Sequence, residues 1–350
     1  MTFYLNLIKT AVMDTETRLR VNKGAMNSVF QDILQRHGMK EHKALLCAEI
    51  FMVNSLEGIY SHGVNRFPRF VKYLDEGYIK PDAEPTLVHA SGSIEQWEGN
   101  LGPGPLNAVF ATDRAMQLAS ANGIGLVALA NTNHWMRGGY YGWHAARKGF
   151  VFIGWANTCM NMPAWGGKDA RIGNNPFVIA VPHDPEAIVL DFAMTQFSYG
   201  RMEAYQHEGR KLPYPGGFNK NGELTVDPGA ILEAMRPVPI GYWKGAGLSL
   251  LLDILAATLS GGLSTHQIGS CDKETNISQV FISIDIAKLS KQNFIKGTID
   301  NIISDLKKSE VAGPDSDIRY PGEGVVRTRK ANTELGIPVD KGFWDKILAL

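Results

Sequence analysis

Apolar residues recur every three or four positions through the first third of the chain. This spacing predicts helices over residues 26–36, 41–60 and 70–74, because side chains three and four apart share one face of a helix. Gly38 and Gly77 follow the first and third of these segments, as is typical of helix C-termini. The N-terminal third of the molecule is therefore expected to be helical.

The pattern changes in the middle of the chain, where short apolar runs alternate with helical spacing. Pro105 and Gly123 suit the two ends of a predicted helix. The segments that follow are a strand, a polar loop, a helix and a strand over residues 125–130, 131–139, 140–148 and 150–155. This order predicts a βαβ unit. Two more strands are predicted over residues 177–182 and 188–192.

The last third returns to helical spacing. Residues 247–259 are apolar on nearly every side of a helix, so this helix is expected to be buried. Alternation of apolar positions predicts a strand over residues 279–286. Further helices are predicted over residues 295–309 and 342–350.

The pattern divides the chain into four segments. We expect an N-terminal extension of uncertain role (1–23), a helical segment (24–95), an α/β core (96–240) and a C-terminal segment that packs back on the N-terminal helices (241–350). The N-terminal string MTFYLNLIKTAV has neither the charged start nor the cleavage site of a signal peptide. No apolar run reaches the roughly 20 residues that a membrane-spanning helix needs, so no membrane association is expected.

Composition limits the classes of partner. The chain holds 35 Lys and Arg against 35 Asp and Glu, so it has no overall charge that would attract nucleic acid or an anionic membrane. Cys47, Cys159 and Cys271 lie far apart in the sequence, which argues against a disulfide framework and a structural zinc site. A reducing, cytoplasmic setting is expected.

The string YSHGVNRFPRF, residues 60–70, places His62 four residues before Arg66. An imidazole with an ordinary pKa near 6.5 can carry a proton at neutral pH, and a guanidinium group can bind a carboxylate with two parallel hydrogen bonds. The alternative is that His62 is only the polar end of a helix, because a lone histidine is more often structural. Spacing alone leaves this choice open.

Other polar positions suggest binding. His134 and Arg137 lie in the loop before a predicted helix, where backbone N–H groups suit a phosphate, although a loop packed around Trp135 is the alternative. The Asn175 amide, in the string RIGNNP, has the groups to hold a substrate carbonyl, and an ordinary turn is the alternative. Asp191 lies within an apolar strand, so it should end at solvent or meet a buried donor such as a histidine.

Glycine-rich turns supply weaker signals. Lys244 in GYWKGAG precedes an apolar helix, and Glu323 in PGEG is a carboxylate that suits a ribose hydroxyl. No GxGxxG motif follows a strand and no GxxxxGK[ST] motif occurs in the sequence. A standard Rossmann fold or P-loop is therefore not indicated.

Six separated motifs together resemble the type-2 malate/L-lactate dehydrogenase family over roughly residues 26–350. The motifs are SHGVxR at 61–66, NH at 133–134, GxNP at 173–176, Asp191, KGxGL at 244–248 and PGE at 321–323. The longer strings, which include GIGLVALANTNHWMRGGYYGW, FSYG and GYWKG, are closest to a branch that reduces a diketo sugar acid. Residues 1–23 have no counterpart in the family, so an extension or an upstream start codon is expected.

The resemblance implies an α/β, non-Rossmann, nicotinamide-dependent oxidoreductase that acts on 2-oxo or 2-hydroxy carboxylates. It implies His62 as the acid/base, with Arg66 anchoring the substrate carboxylate and Asp191 either orienting His62 or contacting the cofactor. Substrate binding is expected at Arg66, His134 and Asn175. Cofactor binding is expected at Ala187, Ile188, Val189, Leu190, Asp191, Phe192, Ala193, Trp243, Lys244, Gly322, Glu323 and Gly324.

The same resemblance implies NADH as cofactor, with NADPH as the alternative, no metal, and a homodimer whose active site lies near the subunit interface. The expected ligand is a small keto acid. Two other classes stay open: a metal-dependent lyase or hydrolase with His62, His134 and Asp191 as ligands, and a non-catalytic binding protein on the same scaffold.

Overall fold

The computed structural model describes residues 18–313 and 316–350, with the side chains of residues 292–293 left out. The strands are β1 (Arg18–Val21), β2 (Thr86–Ser91), β3 (Ile94–Glu98), β4 (Ile124–Thr132), β5 (Phe150–Ala156), β6 (Met162–Pro163), β7 (Ala170–Ile172), β8 (Phe177–Val181), β9 (Ile188–Phe192), β10 (Gly217–Phe218), β11 (Leu224–Thr225), β12 (Ile277–Asp285) and β13 (Ile337–Asp340). The helices are α1 (Lys23–Arg36), α2 (Glu41–Leu56), α3 (Phe67–Asp75), α4 (Gly104–Asn122), α5 (Gly138–Arg147), α6 (Tyr199–His207), α7 (Pro228–Ala234), α8 (Trp243–Ser260), α9 (Thr265–Ile268), α10 (Gln292–Lys307), α11 (Glu323–Leu335) and α12 (Lys341–Leu348).

A seven-stranded mixed sheet forms the centre, in the order β2-β3-β4-β12-β5-β8-β9. β3 and β4 are parallel, and the other neighbouring pairs are antiparallel. β12 lies between β4 and β5 and runs antiparallel to both. The predicted βαβ unit is therefore present, with its two parallel strands separated by an inserted strand. This sheet differs from the doubly wound parallel sheet of a Rossmann fold, as expected.

Helices cover both faces of the sheet. Against one face, apolar residues of α4 and α5 pack in a cluster that includes Tyr141, Trp143 and Phe281. Against the other face, α8 contributes Leu252 and Ala256 to a second cluster. The central strand β12 is buried on both sides, as expected for a strand between two helical layers.

The N- and C-terminal segments share a separate core. Phe30 of α1 stacks on Phe67 of α3 with ring centroids 4.1 Å apart. Trp344 and Ile347 of α12 belong to the same cluster, and β1 pairs with β13. Residues 18–21, which were expected to be part of an extension, therefore form a strand, and residues 1–17 lie outside the described residues. The four-segment division stays a prediction, and the sheet draws strands from both sides of residues 96 and 241.

The segment that carries His62 differs from its prediction. α2 ends at Leu56 rather than at residue 60, and Gly58 follows it in the left-handed region with φ +81°. A single 3₁₀ turn, Tyr60–His62, comes next. α3 begins at Phe67, with Pro68 in its first turn, where the missing N–H of proline costs no hydrogen bond.

The prediction that residues 247–259 are buried is wrong for one face of α8. Leu248, Leu251 and Leu255 are 38%, 56% and 42% exposed, and they recur at helical spacing on one side. The sequence is apolar all round because the opposite side packs on the sheet while this side carries the same residue type. Among the described residues, no helix combines the length and apolar character needed to cross a membrane.

Candidate active site

The backbone of the 3₁₀ turn is held in place around His62. The side-chain amide of Asn54, on α2, donates to the carbonyl of His62 at 3.0 Å. The Oγ of Ser61 lies 3.1 Å from Nδ1 of the His62 ring. These contacts fix both the peptide and the ring, so His62 is a positioned side chain rather than a frayed helix end.

The surroundings of His62 disfavour its charged form. Burial, followed by the positive charges of Arg66 and Arg137, lowers the pKa of His62 from 6.5 to about 4. The surroundings of His62 therefore move its pKa away from the ordinary value near 6.5 that was expected from the sequence. At neutral pH the imidazole is therefore neutral, and a negative charge near Arg66 or Arg137 would raise its pKa.

His134 lies beside His62 with its protonation site determined by the backbone. The two rings are nearly parallel, with centroids 5.6 Å apart and planes inclined at 20°. The N–H of Met136 donates to Nδ1 of His134 at 2.9 Å, so Nδ1 is an acceptor and the neutral ring carries its proton on Nε2. Burial, together with the charge of Arg66, keeps the pKa of His134 well below its usual value. His134 is therefore a neutral hydrogen-bond donor.

Arg66 and His134 line one small cavity, together with Arg69, Tyr73 and Glu274. Arg66 stands at the N-terminus of α3, directly before the Phe67 that anchors this helix in the core. Its nearest carboxylate is that of Glu274, with Nη2 and Oε2 3.8 Å apart. That distance is an ion pair but not a hydrogen bond, so the guanidinium keeps donors for a ligand.

Asp191 meets a cation and a helix terminus rather than the His62 ring. Its Oδ2 accepts from the backbone N–H of Gly139 at 2.8 Å and lies 3.6 Å from Nε of Arg137. Burial raises the pKa of Asp191, while the charge of Arg137 and the Gly139 N–H oppose that rise. These contacts give no support to Asp191 as the group that orients His62, and its contact with a cofactor stays a prediction.

The loop of residues 131–139 is not an open phosphate site. Trp135 and Arg137 are 1% and 4% exposed, and the N-terminus of α5 already binds the carboxylate of Asp191. The anion expected at this helix terminus is thus supplied by the protein itself. The alternative of a packed loop is the one that the structure favours.

Arg137 belongs to a buried network of charges that the sequence did not indicate. Its Nη1 donates to Oε2 of Glu57, and Nε of Arg329 donates to the other oxygen of Glu57 at 2.8 Å. Arg329 also donates to Glu186 at 3.0 Å and lies over the ring of Trp143. The network joins α2, the loop before α5 and α11, and it places one of the two cations that lower the pKa of His62.

Asn175 has a structural role in this conformation. Its Oδ1 accepts from the Thr158 N–H at 3.0 Å, and its Nδ2 donates to the carbonyl of Ser249 at 2.8 Å. The side chain is fully buried, so it joins the loop after β5 to α8. Substrate binding by Asn175 stays a prediction that the geometry does not favour.

A cleft of about 620 Å³ opens next to the 3₁₀ turn. Its walls come from the end of α2 and from the start of α11, and they include Glu57, Tyr60, Arg319, Gly322 and Gly324. Tyr60 belongs to the same turn as His62, so the cleft and the histidine share one segment of backbone.

The walls of this cleft suit the anionic part of a dinucleotide. α11 begins at Glu323 without a side chain that caps it, which leaves N–H groups for an anion, and Arg319 adds positive charge. Gly322 has φ +93°, and a Cβ at this position would lie 3.2 Å from Trp143 and from the backbone of Val189. A side chain there would be strained and would narrow the cleft. The expected ribose contact from Glu323 is less direct, because Lys307 already binds that carboxylate at 2.6 Å.

The three segments predicted to bind the cofactor lie along one strand. The N–H of Val189, in β9, donates to the carbonyl of Pro321, which precedes the turn of residues 322–324. Beyond the other end of β9, the N–H of Ile240 donates to the carbonyl of Met194 at 2.7 Å, which brings Trp243 and Lys244 towards Ala193. Trp243 is 63% exposed, and Lys244 is exposed as well.

The motif FSYG places α6 against the 3₁₀ turn that carries His62. A Cβ on Gly200 would lie 2.4 Å from Cβ of Ser61, so only glycine allows α6 to approach so closely. Ser198 caps α6 by accepting from the Arg201 N–H.

Sequence reasoning missed five residues around the candidate site: Asn54, Glu57, Ser61, Glu274 and Arg329. Of these, only Ser61 could have been noticed from the sequence, because it is next to His62.

His62, His134 and Asp191, the ligands expected if the protein were a metal-dependent enzyme, do not form one cluster. No group of three or more His, Cys, Asp or Glu that could hold a metal ion occurs within residues 18–313 and 316–350. Asp191 lies against Arg137, and the His134 nitrogen Nδ1 is engaged by the backbone.

Comparison with known proteins agrees with the geometry. The sequence profile of the malate/L-lactate dehydrogenase family matches residues 21–348. Curated 2,3-diketo-L-gulonate reductases from Salmonella paratyphi A and Pasteurella multocida are each 44% identical over 333 residues, which is 95% of this chain and 100% of theirs. The solved structure of a putative malate/lactate dehydrogenase from E. coli superimposes with a TM-score of 0.88 at 27% identity, covering 94% of this chain and 93% of that one. The chain therefore belongs to the malate/L-lactate dehydrogenase family and is an oxidoreductase of the dehydrogenase and reductase type, built on a mixed α/β fold.

Proposed function

We propose that the protein reduces the 2-keto group of a 2-keto carboxylate with NADH, and that the substrate is 2,3-diketo-L-gulonate, which becomes 3-keto-L-gulonate. The observation that carries the proposal is that a positioned histidine stacks on a neutral histidine donor, which shares a cavity with Arg66, while the cleft borders the turn that carries the first histidine. The identity of 44% along the full length of curated reductases of that substrate supports the choice of substrate.

His62 delivers the proton. When bound, the nicotinamide cofactor supplies a hydride to the keto carbon, and the oxygen that becomes an alkoxide requires a proton from a donor within hydrogen-bond reach. His62 is held for this role by Asn54 and Ser61. The Nε2 proton of His134 is suited to bind an oxygen of the same substrate.

Arg66 links substrate binding to the proton content of His62. The charge of Arg66 is one cause of the low pKa of His62, so a substrate carboxylate that binds Arg66 offsets this charge and raises that pKa. Because burial remains the larger cause of the low pKa, bound substrate increases the protonated fraction of His62 without removing the whole shift. In the reverse direction, the neutral His62 of the free protein is already a base.

The cofactor is held along β9 and in the adjacent cleft. Gly322 and Gly324 would let the cofactor approach the protein backbone closely, and Arg319 and the N-terminus of α11 would hold its phosphates. NADPH is the alternative cofactor, and a preference for one of the two is set by groups around the ribose.

The protein forms a homodimer in which the exposed face of α8 is covered. Leu248, Leu251, Ile254 and Leu255 are too large an apolar group to suit solvent on a free helix. Trp243 and Lys244 stand at the N-terminus of the same helix, so a subunit that covers α8 lies close to the cofactor residues.

The three free cysteines are consistent with a reducing cytoplasmic compartment.

The test follows NADH oxidation by the purified protein with 2,3-diketo-L-gulonate, oxaloacetate, pyruvate and a cyclic imine acid in turn. Fast turnover with the diketo sugar acid alone is expected. A preference for oxaloacetate or pyruvate would favour malate or L-lactate dehydrogenase activity, the second function supported by the family match. NADH binding without turnover of any keto acid would favour the binding-protein alternative.

A further inference from the structure

Glu274 places a carboxylate at the small cavity that Arg66 and His134 line. It precedes β12 in a loop, and it lines the same cavity as Arg66, Arg69 and His134. Its side chain is 20% exposed and is therefore partly buried. The reaction mechanism proposed above does not use it.

Backbone and side-chain contacts hold this carboxylate in position. Oε1 accepts from the Cys159 N–H at 3.3 Å, while Oε2 lies 3.8 Å from Nη2 of Arg66. The first contact anchors one oxygen, and the second is too long for a hydrogen bond. Oε2 therefore keeps the capacity to accept from a ligand while its charge remains next to Arg66.

An ionised carboxylate accepts hydrogen bonds and cannot donate them. The Glu274 carboxylate lies beside two arginines. In such a cavity the arginines can bind one substrate carboxylate, while Glu274 can accept a hydrogen bond from a hydroxyl and repel a second carboxylate.

We propose that Glu274 is the residue that selects a polyhydroxylated monocarboxylate over a dicarboxylate. This inference rests on the proposed function and adds the source of its substrate selectivity. A sugar acid supplies one carboxylate for Arg66 and a hydroxyl for Glu274. Oxaloacetate would place its second carboxylate near the Glu274 anion, and pyruvate has no group that reaches it.

The test compares kcat/KM for 2,3-diketo-L-gulonate, oxaloacetate and pyruvate in the wild-type protein and in Glu274→Gln. The nearly isosteric amide removes the charge, so kcat/KM for the sugar acid should fall about tenfold and that for oxaloacetate should rise about tenfold. The low value for pyruvate should stay within about twofold, and retained NADH binding reports that the variant is folded. Asp272→Asn, in the same exposed loop, is the matched control and should change none of the three values.

Four results would overturn the inference. An unchanged ratio of sugar acid to oxaloacetate in an active Glu274→Gln variant would remove the selective role. An equal loss for all three substrates would make Glu274 a support for Arg66. If Glu274→Gln fails to fold, Glu274→Asp is the second variant, because it keeps the charge but has a shorter side chain. This variant should lose selectivity for the sugar acid over pyruvate. Retained selectivity would contradict the inference. Absence of turnover by the wild-type protein would overturn the proposed function itself, and the inference with it.

Discussion

The rings of His62 and His134 stack with their centroids 5.6 Å apart, although 71 residues of intervening sequence separate them, as counted from positions 63 to 133. Only one of the two has a fixed backbone partner: Nδ1 of His134 accepts from the Met136 N–H. Nδ1 of His62 instead faces the hydroxyl of Ser61, which can donate or accept. In this pair the backbone fixes the tautomer of His134, whereas the Ser61 hydroxyl can accommodate either protonation state of His62.

Arg66 should have two separable effects. Arg66→Lys keeps the charge but loses the planar fork, so KM for the keto acid should rise about tenfold or more while the pKa of His62 stays low. Arg66→Gln removes the charge and should also raise the pKa of His62. Titration of the His62 ring by NMR, together with steady-state kinetics, checks both effects. An unchanged KM in both variants would remove Arg66 from the carboxylate site.

The pH dependence should differ between kcat/KM and kcat. Reduction requires protonated His62, whose pKa in the free protein is about 4, so kcat/KM should fall steadily with rising pH above that value. Substrate bound at Arg66 raises this pKa, so kcat should hold to a higher pH before it falls. Profiles between pH 5 and 9 measure the steady fall of kcat/KM above its break and the break in kcat at higher pH. A kcat/KM for reduction that is flat from pH 5 to 8 would contradict the assignment of His62 as the acid.

Glu57 should contribute strongly to stability. Glu57→Gln leaves Arg137, which is 4% exposed, without the compensating charge of its buried partner, so the free energy of unfolding should fall by about 3–5 kcal/mol. Urea denaturation measures the loss. Asp345→Asn is the control, because its ion pair with Lys341 is exposed and should be worth only about 0.5 kcal/mol. Equal losses in the two variants would contradict a buried network.

The exposed face of α8 should be a subunit interface. Leu251→Lys places a charge at a side chain that is 56% exposed in the single chain, so the monomer should tolerate it and the dimer should not. Light scattering after size exclusion gives the mass. Ile302→Lys, on α10, is the control, since its side chain is 61% exposed and lies on a different helix. A dimer that survives Leu251→Lys would place the interface elsewhere.

Local patterns predicted much of the fold. The positions of α4 and β4 follow from spacing and terminal glycine or proline residues, because those signals depend on nearby sequence. The insertion of β12 between β4 and β5 does not, because it pairs residues that are far apart in the chain. The exposed face of α8 was missed because an apolar residue gives the same sequence pattern whether its side of the helix packs on the sheet or is exposed.

The site divides in the same way. His62 and Arg66 belong to one short motif, so the sequence could indicate them together. Glu57 meets Arg137 and Arg329 at separations of 80 and 272 residues, which no local pattern encodes. Asp191 was expected either to end at solvent or to meet a buried donor such as a histidine, and the structure supplies Arg137 as the charged partner instead.

The most direct test follows a deuteride from 4-deuterated NADH, used with each of its two C4 stereoisomers, into 2,3-diketo-L-gulonate, with wild-type protein and His62→Asn side by side. We expect one isomer to give 3-keto-L-gulonate with deuterium at C2, and His62→Asn to slow this transfer by about 10²- to 10⁴-fold while NADH binding is retained. His42→Asn, on the exposed side of α2, should transfer at the wild-type rate. Deuterium at another carbon, or transfer by His62→Asn at the wild-type rate, would contradict His62 as the proton donor to a C2 alkoxide.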